Sequence, residues 1–278
     1  MKRFTVLDAL DKKGRREKLT MLTAYDYPTA RILDQAGVDM ILVGDSLGMT
    51  VLGYEDTLAV TMADMIHHAR AVVRGAQRPL VVVDMPFMSY HAGVERAVLN
   101  AGRLIQSTGA QAVKVEGGAG VVASIRAIRE AGIPVMGHLG LTPQSVHALG
   151  GFRVQGQDPA AARRLLEDAR RLEDAGVFAL VLECVPRQLA ALVTTRAHVP
   201  TIGIGAGEGC DGQVLVTHDL LGVYQRFTPR FVKVYARLYH EAKAAVEAYI
   251  GEVKNGSFPG PEHGFDMPGE VWDEIKGG

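Results

Sequence analysis

Short runs in which nearly every residue is apolar alternate along this chain with longer stretches in which apolar residues return every three or four positions. The first pattern suits strands buried on both faces and the second suits amphipathic helices, so the alternation predicts a parallel sheet with crossover helices. Eight such runs occur, at residues 20–23, 40–44, 80–84, 112–116, 134–138, 179–183, 200–205 and 213–217. Eight strands suggest closure, and the chain is predicted to be an α/β protein built as a single (β/α)8 TIM barrel. An open doubly wound sheet would require a reversal of strand order that a sequence does not display.

The intervening segments carry helix punctuation. Pro28 stands near the start of one helix and Gly37 after its end; Thr61 with Asp64 three residues on opens the next, which closes at Gly75. Asp158-Pro159 opens another that closes at Gly176. The phrase Ala-Gly followed by Val or Ile recurs at 36–38, 131–133 and 175–177, each time just before a strand, as expected where left-handed caps feed successive βα units. Thr228-Pro229 is predicted to start a longer amphipathic helix running to Tyr249, after which Gly, Pro and Ser mark a tail. One domain covering residues 1–278 is therefore expected, with an N-terminal cap over residues 1–18 and a C-terminal extension over 251–278.

At 278 residues with 47% hydrophobic and 22% charged content, the chain has the composition of a packed globular protein rather than a disordered or fibrous one. Lys and Arg number 30 against 31 Asp and Glu, so no global positive field exists to attract nucleic acid or an anionic membrane, and neither is expected as a partner. Asp8, Asp11 and Lys12 interrupt the apolar stretch behind the basic start before a signal peptide can form, and no apolar run is long enough to span a bilayer. With only Cys184 and Cys210, neither a disulfide framework nor a Cys-only zinc site is available, and a cytoplasmic location is expected. Both cysteines read as small buried apolar residues.

In a parallel barrel the C-terminal ends of the strands converge on one mouth, which makes polar residues at those ends the candidates for chemistry. Asp45, Asp84, Glu116, His138 and Glu183 end the second to sixth apolar runs. Singly, each reads as a helix cap or the partner of an arginine. Five together crowd a mouth with negative charge that a cation would relieve, and an oxygen-rich set with one imidazole and no thiolate suits Mg2+ better than zinc. Lys114 lies two residues before Glu116 and so faces the same side, either beside that metal to receive a substrate carboxylate or as a charge-balancing barrel lysine.

The runs Met21–Pro28, Val43-Gly44-Asp45-Ser46-Leu47-Gly48, Val83–Phe87, Lys114–Gly118, Gly137–Gln144 and Gly203–Gly207, with Ser257-Phe258-Pro259, His263 and Phe265 near the end, resemble the ketopantoate hydroxymethyltransferase family over nearly the whole chain. The resemblance implies a barrel of the phosphoenolpyruvate mutase and isocitrate lyase type. It also implies transfer of a hydroxymethyl group from 5,10-methylenetetrahydrofolate to 3-methyl-2-oxobutanoate in pantothenate synthesis. In that family the positions of Asp45, Asp84 and Glu116 serve the Mg2+ site, those of Asp45, Ser46, Asp84 and Lys114 contact the keto acid, and that of Glu183 is the proton acceptor. A large homo-oligomer, a decamer, is implied as well.

Under this reading a carboxylate such as Glu183, raised by its apolar strand, takes the proton next to the keto group to give an enolate; His138 competes for that role, and Glu183 then serves to orient water. The connection 139–157 is expected to contact folate or to close over the mouth. Three rival readings exist. Gly44-Asp45-Ser46-Leu47 spells the nucleophile block of a GDSL-type serine esterase, but it follows the second strand and lacks the late Asp-x-x-His. A Mg2+-dependent 2-oxo acid carbon–carbon lyase of the same superfamily would carry a reactive loop cysteine, a motif absent here. A non-catalytic barrel for assembly or metal storage predicts no turnover. The glycine patterns at 118–123 and 207–212 lack the acidic residue of a dinucleotide fingerprint and read as tight turns at the barrel rim.

Overall fold

Eight strands, β1 (Leu19–Thr23), β2 (Met40–Val43), β3 (Leu80–Asp84), β4 (Ala112–Glu116), β5 (Val135–Gly140), β6 (Ala179–Glu183), β7 (Thr201–Ile204) and β8 (Gly212–Leu215), pair in sequence order in a computed structural model that describes residues 2–278. β8 pairs back onto β1, every neighbouring pair is parallel, and the sheet closes into a barrel. Met1, the first residue of the expected cap, lies outside the described residues.

Two apolar layers hold the barrel. Inward-facing Leu19, Met21, Met40, Leu80, Val82 and Met136 fill its interior, while the alternate residues Ile41, Val43, Val81, Val83, Val113 and Val115 pack outward against the helices. This division is the period-2 consequence of burying both faces, and it explains why β2 is apolar throughout and β3 is apolar up to Asp84, while β4 admits Lys114 only on its inward face. Helix caps fall where the punctuation put them: Thr61 and Asp64 form a capping box on the helix Met62–Gly75, and Asp158 caps Pro159–Asp174.

The N-terminal helix Val6–Gly14 closes the end of the barrel away from the mouth. Phe4, Val6 and Ala9 pack on the interior layer, Lys12 pairs with Asp39 at 2.7 Å, and Lys13 pairs with Asp211 at 2.7 Å, both acids standing just before a strand.

Several boundaries differ from the sequence reading. β5 runs on to Gly140, so His138 lies inside the strand rather than at its end, with its side chain on the interior face like Met136. β7 and β8 are joined by only 205–211, without a helix, which breaks the βα repeat. The short crossing is feasible because Gly205 and Gly207 take φ of +63° and +82°, and because a Cβ at Gly209 would stand 2.8 Å from that of Ala191 on the helix Arg187–Arg196. The expected turn there is therefore present.

The expected helix from Thr228 begins instead at Leu238 and runs to Asn255, past the expected tail boundary. Residues 228–237 do not coil because their backbone is tied elsewhere: Tyr235 N–H donates to the Leu220 carbonyl at 2.8 Å and Leu238 N–H to that of Leu221 at 3.1 Å. Tertiary hydrogen bonds override the Thr-Pro start signal. The tail contains a further helix, Gly269–Lys276, and neither it nor Leu238–Asn255 buries any residue. Among the described residues no helix is long and apolar enough to cross a membrane.

Candidate active site at the barrel mouth

Strand register assembles the polar cluster. Asp84 is the ladder partner of Lys114 and Glu116 that of His138, so side chains on neighbouring strands point inward at the same level. Lys114 Nζ lies 3.0 Å from Asp84 Oδ1, 3.4 Å from Glu116 Oε1 and 3.0 Å from His138 Nδ1. His138 Nδ1 is also 3.3 Å from Glu116 Oε1, and its Nε2, which has no aligned hydrogen-bond partner, is 3.3 Å from Glu183 Oε2. The inward pairing expected of Lys114 and Glu116 from their spacing is thus present.

Asp45 joins through the backbone and through a residue the sequence reading gave no role. Its N–H donates to Asp84 Oδ2 at 3.0 Å, and its Oδ2 accepts from Gln144 Nε2 at 2.8 Å. Gln144 also donates its side-chain amide to the Met85 carbonyl at 2.9 Å and its backbone N–H to Glu116 Oε2 at 3.1 Å, while its Oε1 accepts from the Tyr90 hydroxyl at 2.7 Å. Gln144 therefore ties the loops after β2, β3 and β5 to the end of β4. Gly44 leaves room for the Ser46 hydroxyl, since a Cβ there would stand 2.8 Å from Ser46 Oγ.

Charge in this cluster is out of balance. Asp45, Asp84, Glu116, Lys114 and His138 are all buried, and four carboxyl groups including Glu183 face one ammonium and one imidazole. Burial, then the charges of Asp84 and Glu116, push Asp45 well above the ordinary carboxylate range. Burial also raises Asp84, against the pull of Lys114. Burial opposes ionisation of Glu116 too, but Lys114, His138 and the Gln144 N–H hold it down at about 2. Burial and Lys114 work against a charged His138, yet Glu116 and Glu183 outweigh them and hold it up at about 9. Lys114 stays charged for the same reason, three carboxylates overcoming burial.

Glu183 differs from the other acids. Its side chain is 17% exposed against 3% for those of Asp84 and Glu116, so it is the carboxylate most open to the cavity. That cavity, of about 350 Å³, is lined by Asp45, Ser46, Asp84, Lys114, Glu116, His138 and Glu183, all seven residues singled out from the sequence. Its remaining wall is mostly apolar, with Leu42, Val181, Ile204 and Val214 from the strands. The segment 139–157 reaches it through Leu141, Pro143, Phe152, Arg153 and Val154, in keeping with the expected place of that connection at the mouth.

Ser46 stands apart from the ionic cluster. Its Oγ is 2.8 Å from the Tyr25 hydroxyl, and no imidazole bonds it among the described residues, which leaves a serine nucleophile without a base. Cys210 is buried as expected, but Cys184 is only half-buried and lines the cavity, because its φ of +47° turns the chain at the end of β6. Burial pushes its thiol up to about 12, so it is no nucleophile.

Surplus negative charge and hard oxygen donors match a divalent cation such as Mg2+ in kind. Among the described residues, no three of His, Cys, Asp or Glu are disposed to hold one ion in common. Glu116 spends one oxygen on Lys114 and His138 and the other on Gln144, and Asp84 spends Oδ1 on Lys114 and Oδ2 on the Asp45 N–H, while Asp45 and Asp84 form the adjacent pair whose carboxyl groups burial has pushed up.

Residues 3–261 match the model of a family described as ketopantoate hydroxymethyltransferase. The 3-methyl-2-oxobutanoate hydroxymethyltransferase of Enterococcus faecalis is 60% identical over 271 residues, covering 98% of each chain, and that of Acetivibrio thermocellus is 56% identical over 273 residues, covering 98% of this chain and 96% of its own. Among solved structures, a phosphonopyruvate hydrolase in complex with oxalate and Mg2+ superposes with TM-score 0.62 at 13% identity, covering all of this chain and 95% of its own. A 2,3-dimethylmalate lyase of the PEP mutase/isocitrate lyase superfamily superposes with TM-score 0.58 at 18% identity, covering 98% and 94%. At such identities these two likenesses concern the fold.

Proposed function

The chain belongs to the ketopantoate hydroxymethyltransferase family, and on that premise we infer that its barrel mouth moves a hydroxymethyl group from 5,10-methylenetetrahydrofolate to C3 of 3-methyl-2-oxobutanoate, giving ketopantoate for pantothenate synthesis. The esterase, lyase and storage readings give way to this family. The observation that carries the site assignment is the surplus of buried carboxylate around Lys114, faced by one carboxylate open to an apolar cavity.

Asp45 and Asp84, with Glu116 behind them, would hold a Mg2+ ion. When bound, the ion supplies positive charge beside the oxygens of a 2-oxo acid. Lys114 presents its ammonium to the substrate carboxylate, and Ser46 adds a hydroxyl donor from the other side. This fixes the branched end of the keto acid against the apolar wall, with its C3 proton toward Glu183. Glu183 accepts that proton, and the electrons of the broken C–H bond move into the C2–C3 bond as charge collects on the keto oxygen. His138, charged and already facing Glu116, steadies Glu183 rather than replacing it. Water supplies the oxygen of the hydroxymethyl group, both C–N bonds of the folate methylene break, the enolate carbon bonds to the one-carbon unit, and tetrahydrofolate leaves with one proton from Glu183 and one from the water.

We read the location as cytoplasmic and the protein as a homo-oligomer, the decamer implied by the resemblance. Exposed Tyr249, Ile250, Val253 and Trp272 on the two C-terminal helices support subunit contacts.

A thermal-shift titration tests the site. Mg2+ with ketoisovalerate at about 100 times their dissociation constants stabilises the wild type by about 2.7 kcal/mol, and Asp45→Asn and Asp84→Asn lose that shift. Equal shifts in wild type and both variants would refute the proposed ion site, and failure to form ketopantoate from the two substrates would refute the activity.

A further inference from the structure

Asp219 lies in the single turn Thr217–Leu220 that follows β8, and in an eight-strand barrel β8 stands across from β4, which carries Lys114 and Glu116. The residue is 9% exposed and lines the same cavity as the catalytic cluster. Neither a hydrogen bond nor a cation compensates it, and burial alone pushes its carboxyl up to about 6. Its carboxyl faces the cavity without a protein partner among the described residues, and the cluster around Lys114 gives no account of it.

The keto acid gives no account of it either, because its carboxylate and ketone oxygens are acceptors only. A carboxylate needs donors, and two of them side by side satisfy it best. The other substrate of the proposed reaction has that edge: the 2-amino group and the N3–H of its 2-amino-4-oxopteridine ring. The cavity that Asp219 lines suits a flat heterocycle, with Tyr224, Phe227 and Phe231 in its wall, and Arg153 and Arg230 line it as cations that match the glutamyl carboxylates of a folate tail.

We propose that Asp219 anchors the pterin ring of the folate co-substrate, its carboxylate accepting from the 2-amino group and N3–H, at the β8 side of the cavity. The proposal rests on the hydroxymethyl-transfer reading above. It makes Asp219 a specificity-determining residue for the one-carbon donor, with no part in removing the proton from the keto acid.

Metal-loaded wild type and Asp219→Asn are compared by calorimetric titration with tetrahydrofolate and with its 2-desamino-2-methyl analogue. Folate-independent exchange of the C3 proton of 3-methyl-2-oxobutanoate with solvent deuterium is followed in parallel. Asn keeps the size but turns a donor against a donor, so tetrahydrofolate binds about 10- to 150-fold more weakly, as loss of hydrogen bonding to a charged group implies. The analogue, which keeps only the N3–H donor, loses less affinity than tetrahydrofolate on the same substitution, and exchange continues in both proteins. Unchanged tetrahydrofolate affinity in Asp219→Asn, or an equal loss for the analogue, overturns the proposal. Loss of exchange together with folate binding overturns it too, since Asp219 then serves the fold or the keto acid. A wild type that exchanges but binds no tetrahydrofolate refutes the folate reading itself.

Discussion

Replacing Glu183 by Gln removes the proposed proton acceptor with almost no change of shape and leaves the ionic cluster behind it intact. Loss of a positioned general base costs about 100- to 10,000-fold, or roughly 3–5 kcal/mol of barrier. The competing base, His138, has its Nδ1 between Lys114 and Glu116 and its Nε2 3.3 Å from Glu183. Held above its ordinary value by Glu116 and Glu183, it is mostly protonated at neutral pH, so base catalysis through it would begin with a penalty. His138→Asn removes one charged contact to Glu183 and slows the reaction about 10-fold. The assay is loss of the C3 proton of 3-methyl-2-oxobutanoate into deuterium oxide, followed by NMR with Mg2+ present and folate absent. The wild-type rate is expected to stay flat between about pH 7 and 8.5, because His138 remains protonated across that range. A rate that climbs about tenfold per pH unit toward 9, or exchange that survives Glu183→Gln and vanishes in His138→Asn, would show that the imidazole is the base.

Two further outcomes follow from the same geometry. Lys114→Met strands Asp84 and Glu116 in the interior without their cation, at a cost of about 3–5 kcal/mol and a melting temperature lower by roughly 6–20 °C; a calorimetric shift under about 2 °C would refute that role. Gly140→Ala forces a Cβ onto the Glu183 carbonyl oxygen at a φ of +94°, so the end of β6 must move; deuterium exchange falls at least about 100-fold even where circular dichroism shows a folded barrel, and an unimpaired rate would mean the position of Glu183 is not critical.

Legibility in the sequence followed the range of the interactions. Strands buried on both faces write their burial directly as apolar runs, so all eight were visible, and Asp84, Glu116 and Glu183 stood out as the polar residues that stop them. Lys114 and Glu116 shared a face by strand period alone. Gln144 had no such signature: what makes it matter is contact with Asp45, 99 positions away, and Tyr90, 54 away. The direct β7–β8 crossing and the late start of the helix Leu238–Asn255 were hidden for a like reason, each depending on packing or hydrogen bonds to segments that no local pattern reports. Asp219 carried no signal in the sequence, and its place at the mouth shows only once the cavity exists around it.

The helix Val6–Gly14 seals the barrel at the pole opposite the chemistry, through Phe4, Val6 and Ala9 beneath the strand starts. Robustness and reactivity are therefore governed from opposite poles of one molecule. Improved packing under the floor can raise heat tolerance without disturbing turnover, and a carrier or resin attached near that helix leaves the entrance clear for both reactants.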